Sequence, residues 1–421
     1  MQDDNIPLTG LDHFFLALEK HNGKSKTIGN TCRYFLELDG VLTKEELKNK
    51  LKSDLLTTQL ASYRLKERSI ISGSFWVKDR FNDVEITEIG TDDKIPQSVL
   101  EYNIDITENK PYFTFFLLHR SNQTSTLVFC WHHLLMDGYG SCLYLSSLNQ
   151  QIEAKLYTPS SAKFSFLAAR KARCFVQKSA KPKLTSVFND NYVIDSQPAV
   201  HIVDFTLNET ESISANALAC GAFFGQSTYY LASCAMAVKQ LLEQKGRKVE
   251  SFWVPVPQDK RKKLSTGPVL SNHLSLLFYR IENTLLHKGI HELTKDLTRQ
   301  MKSQIKEGIP EKYNSLMHYL RLLPKSTYYR FIKGPHGGAL SSFLFTVAPD
   351  HPESLASFMG RNVTDAMNIP PLTFPPGLTF AFAKYKTKTR IFVLYSTDAC
   401  SKDEINNLAF ELKELLLKRE K

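Results

Sequence analysis

The residues best equipped for chemistry are two adjacent histidines in the run Cys130-Trp131-His132-His133-Leu134-Leu135-Met136-Asp137-Gly138-Tyr139-Gly140. An imidazole, with an unperturbed pKa of about 6.5, can take a proton near neutral pH and return it within one cycle. The run follows an apolar stretch at 126–131 that reads as a strand and precedes a helix that begins at 138. Strand alternation turns neighbouring rings to opposite faces, so one imidazole can act in a cavity while the other packs. Asp137 is spaced to turn the chain, and Gly138 to give the tight geometry of the following helix. On these residues alone two other readings stand beside general-base chemistry. One is a pair of packed core histidines. The other is a metal site, although no third ligand lies at metal-binding spacing.

The elements that must position this run alternate in type. A short apolar helix at 13–19 is entered through Pro7-Leu8-Thr9-Gly10-Leu11-Asp12, and a strand at 32–38 ends at Asp39-Gly40. Thr43 and Glu46 are spaced as a capping box for a helix that runs to about residue 55. Strands at 73–77, 112–119 and 126–131 and a helix at 138–154 complete an N-terminal lobe, 1–175. Between 168 and 198 Lys, Ser, Pro and Asn replace periodic apolar positions, so 176–200 reads as a linker. The C-terminal lobe, 201–421, carries strands at 201–207, 252–256, 274–280, 341–347, 378–385 and 390–395. Its helices read at 209–222, 226–244, 290–306 and 309–322, and a last one opens on a Ser401-x-x-Glu404 box. The fold class is α/β.

His132-His133-x-x-x-Asp137-Gly138 resembles the HHxxxDG signature of the CoA-dependent acyltransferase superfamily. That superfamily includes chloramphenicol acetyltransferase, wax ester synthase/diacylglycerol acyltransferases and nonribosomal peptide condensation domains. Residues 7–16 resemble the PLSPLDxxFL opening of the wax ester synthase branch, and Glu37-Leu38-Asp39-Gly40 its next element. Val254-Pro255-Val256-Pro257-Gln258-Asp259-Lys260-Arg261 resembles the "VPVDLR" strand, Ser271-Asn272-His273-Leu274-Ser275 the "GN" segment, and Pro376-Gly377-Leu378 the C-terminal end. Position 271 is Ser where the family usually has Gly, and the DFGWG motif of plant enzymes is absent.

The resemblance implies two chloramphenicol acetyltransferase-like lobes, each a mixed sheet with helices, and an active-site tunnel at their interface. It implies a cofactor-free acyltransferase acting on an acyl-CoA or acyl-carrier-protein thioester. His133 would deprotonate an alcohol or amine acceptor for direct attack on the thioester, without an acyl-enzyme. His132, Asp137, Gly138 and Arg261 would support it, with Asp137 paired to Arg261. Asn272, Ser275, Lys260 and Lys262 are substrate-binding candidates, and no metal is implied. The wax ester branch favours O-acylation. The alternatives are a stand-alone condensation enzyme and a non-catalytic carrier-binding scaffold that keeps the fold.

The remaining features narrow the partners. The chain has 421 residues, 42% hydrophobic and 23% charged, ordinary globular values that exclude a disordered or fibrous chain. Its longest apolar runs fall far short of the ~18–20 residues that cross a bilayer. The N-terminus has no signal-peptide pattern, and seven scattered cysteines without a Cys-x-x-Cys pair read as reduced thiols of a cytoplasmic protein. The net charge of +10 suits CoA phosphates, an acidic carrier or an anionic membrane face, the last making the protein peripheral to a membrane. Nucleic acid is not expected, because no recognition module accompanies the charge. The basic stretch 163–183, interleaved with Phe164, Phe166 and Phe175, reads equally as a membrane or carrier contact and as an unpartnered linker. The lysines of 260–263 are suited to steer an anionic donor, and equally to a solvated charge run. His287 and His291 read as a solvated helix face, Gly334-Pro335-His336-Gly337-Gly338 as a loop despite its likeness to a lipase oxyanion loop, and Cys142 as a buried helix cysteine.

Overall fold

The apolar segments Phe113–His119 and Ser125–His132 pair antiparallel, and every residue of the second is buried. A strand covered on both faces loses polar alternation and reads as a continuous apolar run, as this one does. In the computed structural model these two strands lie inside a six-stranded sheet. Its order is Ser357–Phe358, Arg361–Ile369, Thr31–Leu38, Ser125–His132, Phe113–His119 and Ile86–Gly90. The structure describes residues 5–22, 28–67, 73–80, 82–158, 163–180, 184–188, 196–262, 265–324, 326–328, 330 and 340–418.

One face of this sheet carries Tyr34, Leu36, Phe129 and Trp131, which pack with Leu143, Tyr144 and Leu145 of the helix Gly138–Leu148. The opposite face carries Phe35, Val128, Cys130 and Met367, and these join Ala381, Phe392 and Leu394 of the second lobe in one core. The second lobe has a four-stranded sheet, ordered Leu344–Val347, Leu378–Tyr385, Lys388–Ser396 and Pro198–Asp204. Beside it runs the hairpin Ser251–Asp259 with Leu274–Glu282, joined by the Ser342 amide donating to the Trp253 carbonyl at 3.0 Å. The helices Ser227–Gln244, Ile290–Lys306 and Lys402–Leu417 bury their apolar sides on the far face. The α/β architecture of two mixed-sheet lobes is therefore the one that the sequence implies.

Capping boxes at Thr43/Glu46 and Ser401/Glu404 start the helices Lys44–Ser53 and Lys402–Leu417 as their spacing predicts. Three differences are informative. Residues 168–179, part of the stretch expected to lack periodic structure, belong to the helix Phe166–Ser179. It buries only Ala169 and Ala172 completely, so its apolar face is too slight to stand out from its charges. The strand Arg361–Ile369 lies in 201–421 yet pairs with Thr31–Leu38 of the first lobe, so the second half of the chain completes the first half's sheet. The helix from Gly138 stops at Leu148 rather than near 154, because Asn149 caps it and Gln150 takes a positive φ of 58°.

Candidate active site

The strand Ser125–His132 delivers His132 at its last position and releases His133 into a turn. His132 is fully buried. Its Nδ1 accepts the Leu134 amide at 3.1 Å, which leaves the ring proton on Nε2, 3.1 Å from Glu19 Oε2. Glu19 also accepts from Asn30 Nδ2 at 2.6 Å. The His133 amide donates to the Asn30 carbonyl at 2.7 Å, and its carbonyl accepts from Asn272 Nδ2 at 2.8 Å. Both backbone ends of His133 are thus held while its ring stacks on Phe15, centroids 3.9 Å apart and planes 19° off parallel. The ring lines a cavity of about 700 Å³ between the lobes. Burial pushes the His133 imidazole down to about 4, opposed more weakly by its own backbone and the Asp137 charge. At neutral pH it is an uncharged base.

Asp137 points away from the cavity. Its Oδ1 accepts the Gly140 amide at 2.9 Å and caps the helix Gly138–Leu148, and its Oδ2 accepts the His273 amide at 2.8 Å. Arg261 Nη1 lies 3.0 Å from the same Oδ2, with the two side chains 2% and 1% exposed. Burial works against the Asp137 anion, yet Arg261 and the two amides hold its carboxyl below its usual value. Arg261 also meets Asp259 at 3.2 Å, the Pro268 carbonyl at 3.0 Å and the Tyr139 ring at 5.3 Å. Gly138 has no left-handed backbone, so the expectation that it supplies tight turn geometry is corrected. Gly140 is the glycine that packing requires there, since a Cβ would come within 2.8 Å of the Val269 carbonyl.

Asn272 is completely buried. Its amide and its Nδ2 both reach Asp12 Oδ1 at 2.9 Å, and Nδ2 also reaches the His133 carbonyl. Its donors are therefore spent on the protein, which makes it a tether of the His133 turn rather than a substrate contact. Its Oδ1 has no partner among the described residues. Ser271, before it, has φ +74°, the region glycine occupies most freely, and its Oγ accepts from Trp76 Nε1 at 3.2 Å. Ser275 is corrected too. Its Oγ donates to the Pro310 carbonyl at 2.8 Å, while Leu274 and Leu276 on either side line the cavity. Lys260 and Lys262 are exposed and do not line it either.

Sequence reasoning missed Asp12, Phe15, Glu19 and Asn30. The first three sit on the helix Gly10–Asn22, whose start is fixed by the Thr9 amide donating to Asp12 Oδ2 at 2.7 Å and the Asp12 amide to Thr9 Oγ1 at 3.1 Å. That Thr9-x-x-Asp12 pairing was a legible capping signal. Gly10 lets this helix lie against Met317, whose backbone carbon would sit 2.5 Å from a Cβ.

The rest of the wall is largely apolar, with Leu11, Phe14, Trp253, Phe278 and Leu316 among its residues, and is interrupted by polar groups that include Arg173, Gln177, Arg330 and Thr346. Cys142 is buried, and that burial pushes its thiol up to about 12, which suits packing rather than attack. His287 and His291 do not share a helical face. His287 caps the short helix Asn283–Leu286, and His291 belongs to the next helix beyond Gly289 at φ +89°. The 334–338 loop lies outside the described residues. Among the described residues no helix is long and apolar enough to cross a membrane.

No protein-family model and no curated protein matches the sequence. Solved structures do match over nearly the whole chain. The first condensation domain of the CDA synthetase superposes with TM-score 0.71 at 13% identity, covering 98% of this chain and 96% of that one. The trichothecene 15-O-acetyltransferase TRI3 from Fusarium sporotrichioides gives 0.69 at 14% identity, covering 96% and 93%. Polyketide synthase associated protein 5 from Mycobacterium tuberculosis gives 0.65 at 15% identity, covering all of both chains. At these identities it is the fold that is shared. With two mixed-sheet lobes and a cavity between them, the chain has the fold of these condensation-domain and acetyltransferase structures.

Proposed function

We propose that the chain is an acyltransferase that moves an acyl group from a CoA or carrier-protein thioester to an alcohol or amine. The observation that carries this reading is the imidazole of His133, held at both backbone ends in the wall of a largely apolar cavity of about 700 Å³. A volume of that order suits an acyl chain together with an acceptor. His133 takes the proton from the acceptor hydroxyl or amine as its oxygen or nitrogen bonds to the thioester carbonyl carbon. The carbonyl electrons move onto oxygen, then return as the carbon–sulfur bond breaks. The leaving thiolate takes the proton back from the imidazolium, and the base is regenerated. A direct transfer of this kind needs no covalent acyl-enzyme.

Asp137 and Arg261 support the site by fixing the strand-to-helix turn, with no contact to substrate. The largely apolar wall favours aliphatic acyl groups, and the resemblance of residues 7–16 to the wax ester synthase branch favours an alcohol acceptor. The test is a matrix of acyl-CoA and acyl-carrier donors against alcohol and amine acceptors, read by product mass. An acylated acceptor formed with one free thiol per turnover supports the reading. Hydrolysis alone, or no turnover with any pair, would reject it.

A further inference from the structure

The basic stretch beyond residue 163 is only partly explained by the cavity. The helix Phe166–Ser179 contributes Arg173, Val176 and Gln177 to the cavity wall, and its neighbour Ile309–Leu320 contributes Leu316 and Leu320. The outward side of the same pair carries large apolar groups: Phe166 is 72% exposed, Leu167 59%, Leu322 40% and Phe164 36%. They form one patch, since Phe164 stacks on His318 at 3.7 Å and Phe166 meets Tyr319 edge-on at 5.9 Å. Residues 163–180 and 316–330 contain no acidic side chain, while Lys163, Arg170, Lys171, Lys178 and Arg330 are exposed.

We propose that the helix Phe166–Ser179, with Phe164 and Leu322 beside it, is a docking surface for an anionic lipid bilayer. Two needs of the patch are met together by such a surface. The cations sit among anionic headgroups, and the protruding Phe and Leu side chains enter the boundary with the acyl region. Aromatic rings such as Tyr319 suit the headgroup level between them. An acidic folded partner answers the charges but offers no comparable medium for Phe166 and Leu167. Docking here would set two cavity walls against the bilayer, so apolar substrates could enter without crossing water. The binding itself needs no acyl transfer, so it can fail or hold independently of the reaction proposed above.

The experiment is flotation of the full-length protein with vesicles of phosphatidylcholine alone or with about 30% phosphatidylserine. The wild type should float with the anionic vesicles, and far less with the neutral ones or at high salt. At roughly fivefold per basic side chain, Arg170→Gln/Lys171→Gln should weaken binding about 30-fold. Phe166→Ser/Leu167→Ser should weaken it by about tenfold or more. All four positions are exposed, so unchanged thermal unfolding will show that the variants fold. Absence of wild-type flotation with anionic vesicles, or flotation of both variants like the wild type, overturns the proposal. So does the outcome in which vesicles are ignored while an acidic acyl-carrier protein is bound through the same residues.

Discussion

If His133 is the base, the acid limb of kcat/KM reports its titration, and the structure fixes where that limb falls. Burial lowers the imidazole to about 4, with Phe15 covering one ring face. At pH 5.5 about 97% of such an imidazole is neutral, against roughly 10% for an unperturbed one. The wild type should therefore stay near its plateau at pH 5.5. Phe15→Ala opens the ring face to water and should move the limb up toward about 6.5, a loss of up to roughly tenfold at pH 5.5 relative to its own plateau. The assay is thiol release from an acyl thioester, followed with dithiodipyridine across the range. The same shift predicts a stability change. The folded pKa lies below the unfolded one, so the unfolded chain binds more protons between about 6.5 and 4, and stability falls as pH falls through that window, by about 3 kcal/mol in all. A wild-type limb near 6.5, or a Phe15→Ala limb unmoved from the wild type's, would refute the reasoning.

Other predictions follow from the same geometry. Arg261→Ala strands the buried Asp137 carboxylate and should cost about 3–5 kcal/mol, whereas Asp137→Asn, which leaves Arg261 its Asp259 and Pro268 partners, should cost less; urea unfolding of both variants compares them. Ser271→Gly should be nearly neutral, because relief of the positive φ offsets loss of the Trp76 hydrogen bond. Ser271→Ala keeps the strain and loses the bond, and should be destabilised by about 1–2 kcal/mol, read by the same unfolding curves. Within the volume of the cavity, each methylene added to the acyl donor should raise kcat/KM about fourfold, at about 0.8 kcal/mol per buried group. A flat chain-length series would mean that the acyl chain lies elsewhere.

Much of the fold was legible wherever local chemistry and tertiary packing agree. Capping boxes located helix starts, and apolar runs located the central strands Phe113–His119 and Ser125–His132. The missed strand Arg361–Ile369 alternates poorly and bulges between Val363 and Asp365, and it is held by a partner more than 300 residues away in sequence. No local pattern carries that information. The site divides in the same way. The histidine run and Asp137 lie within one short segment. By contrast, Asp12, Phe15 and Glu19 reach it from the first helix, through contacts to Asn272, His133 and His132 that a single sequence cannot display. Ser275 misled because its neighbours, not it, face the cavity, a consequence of strand alternation once the register is known.

The central claim is that one imidazole moves the proton, and His133→Ala tests it most directly. Single-turnover formation of acylated acceptor should be measured for wild type and variant at neutral pH, beside their thermal unfolding. The account predicts a rate loss of about 10²–10⁴-fold in a variant that unfolds at nearly the wild-type temperature. Equal rates in the two proteins would contradict it.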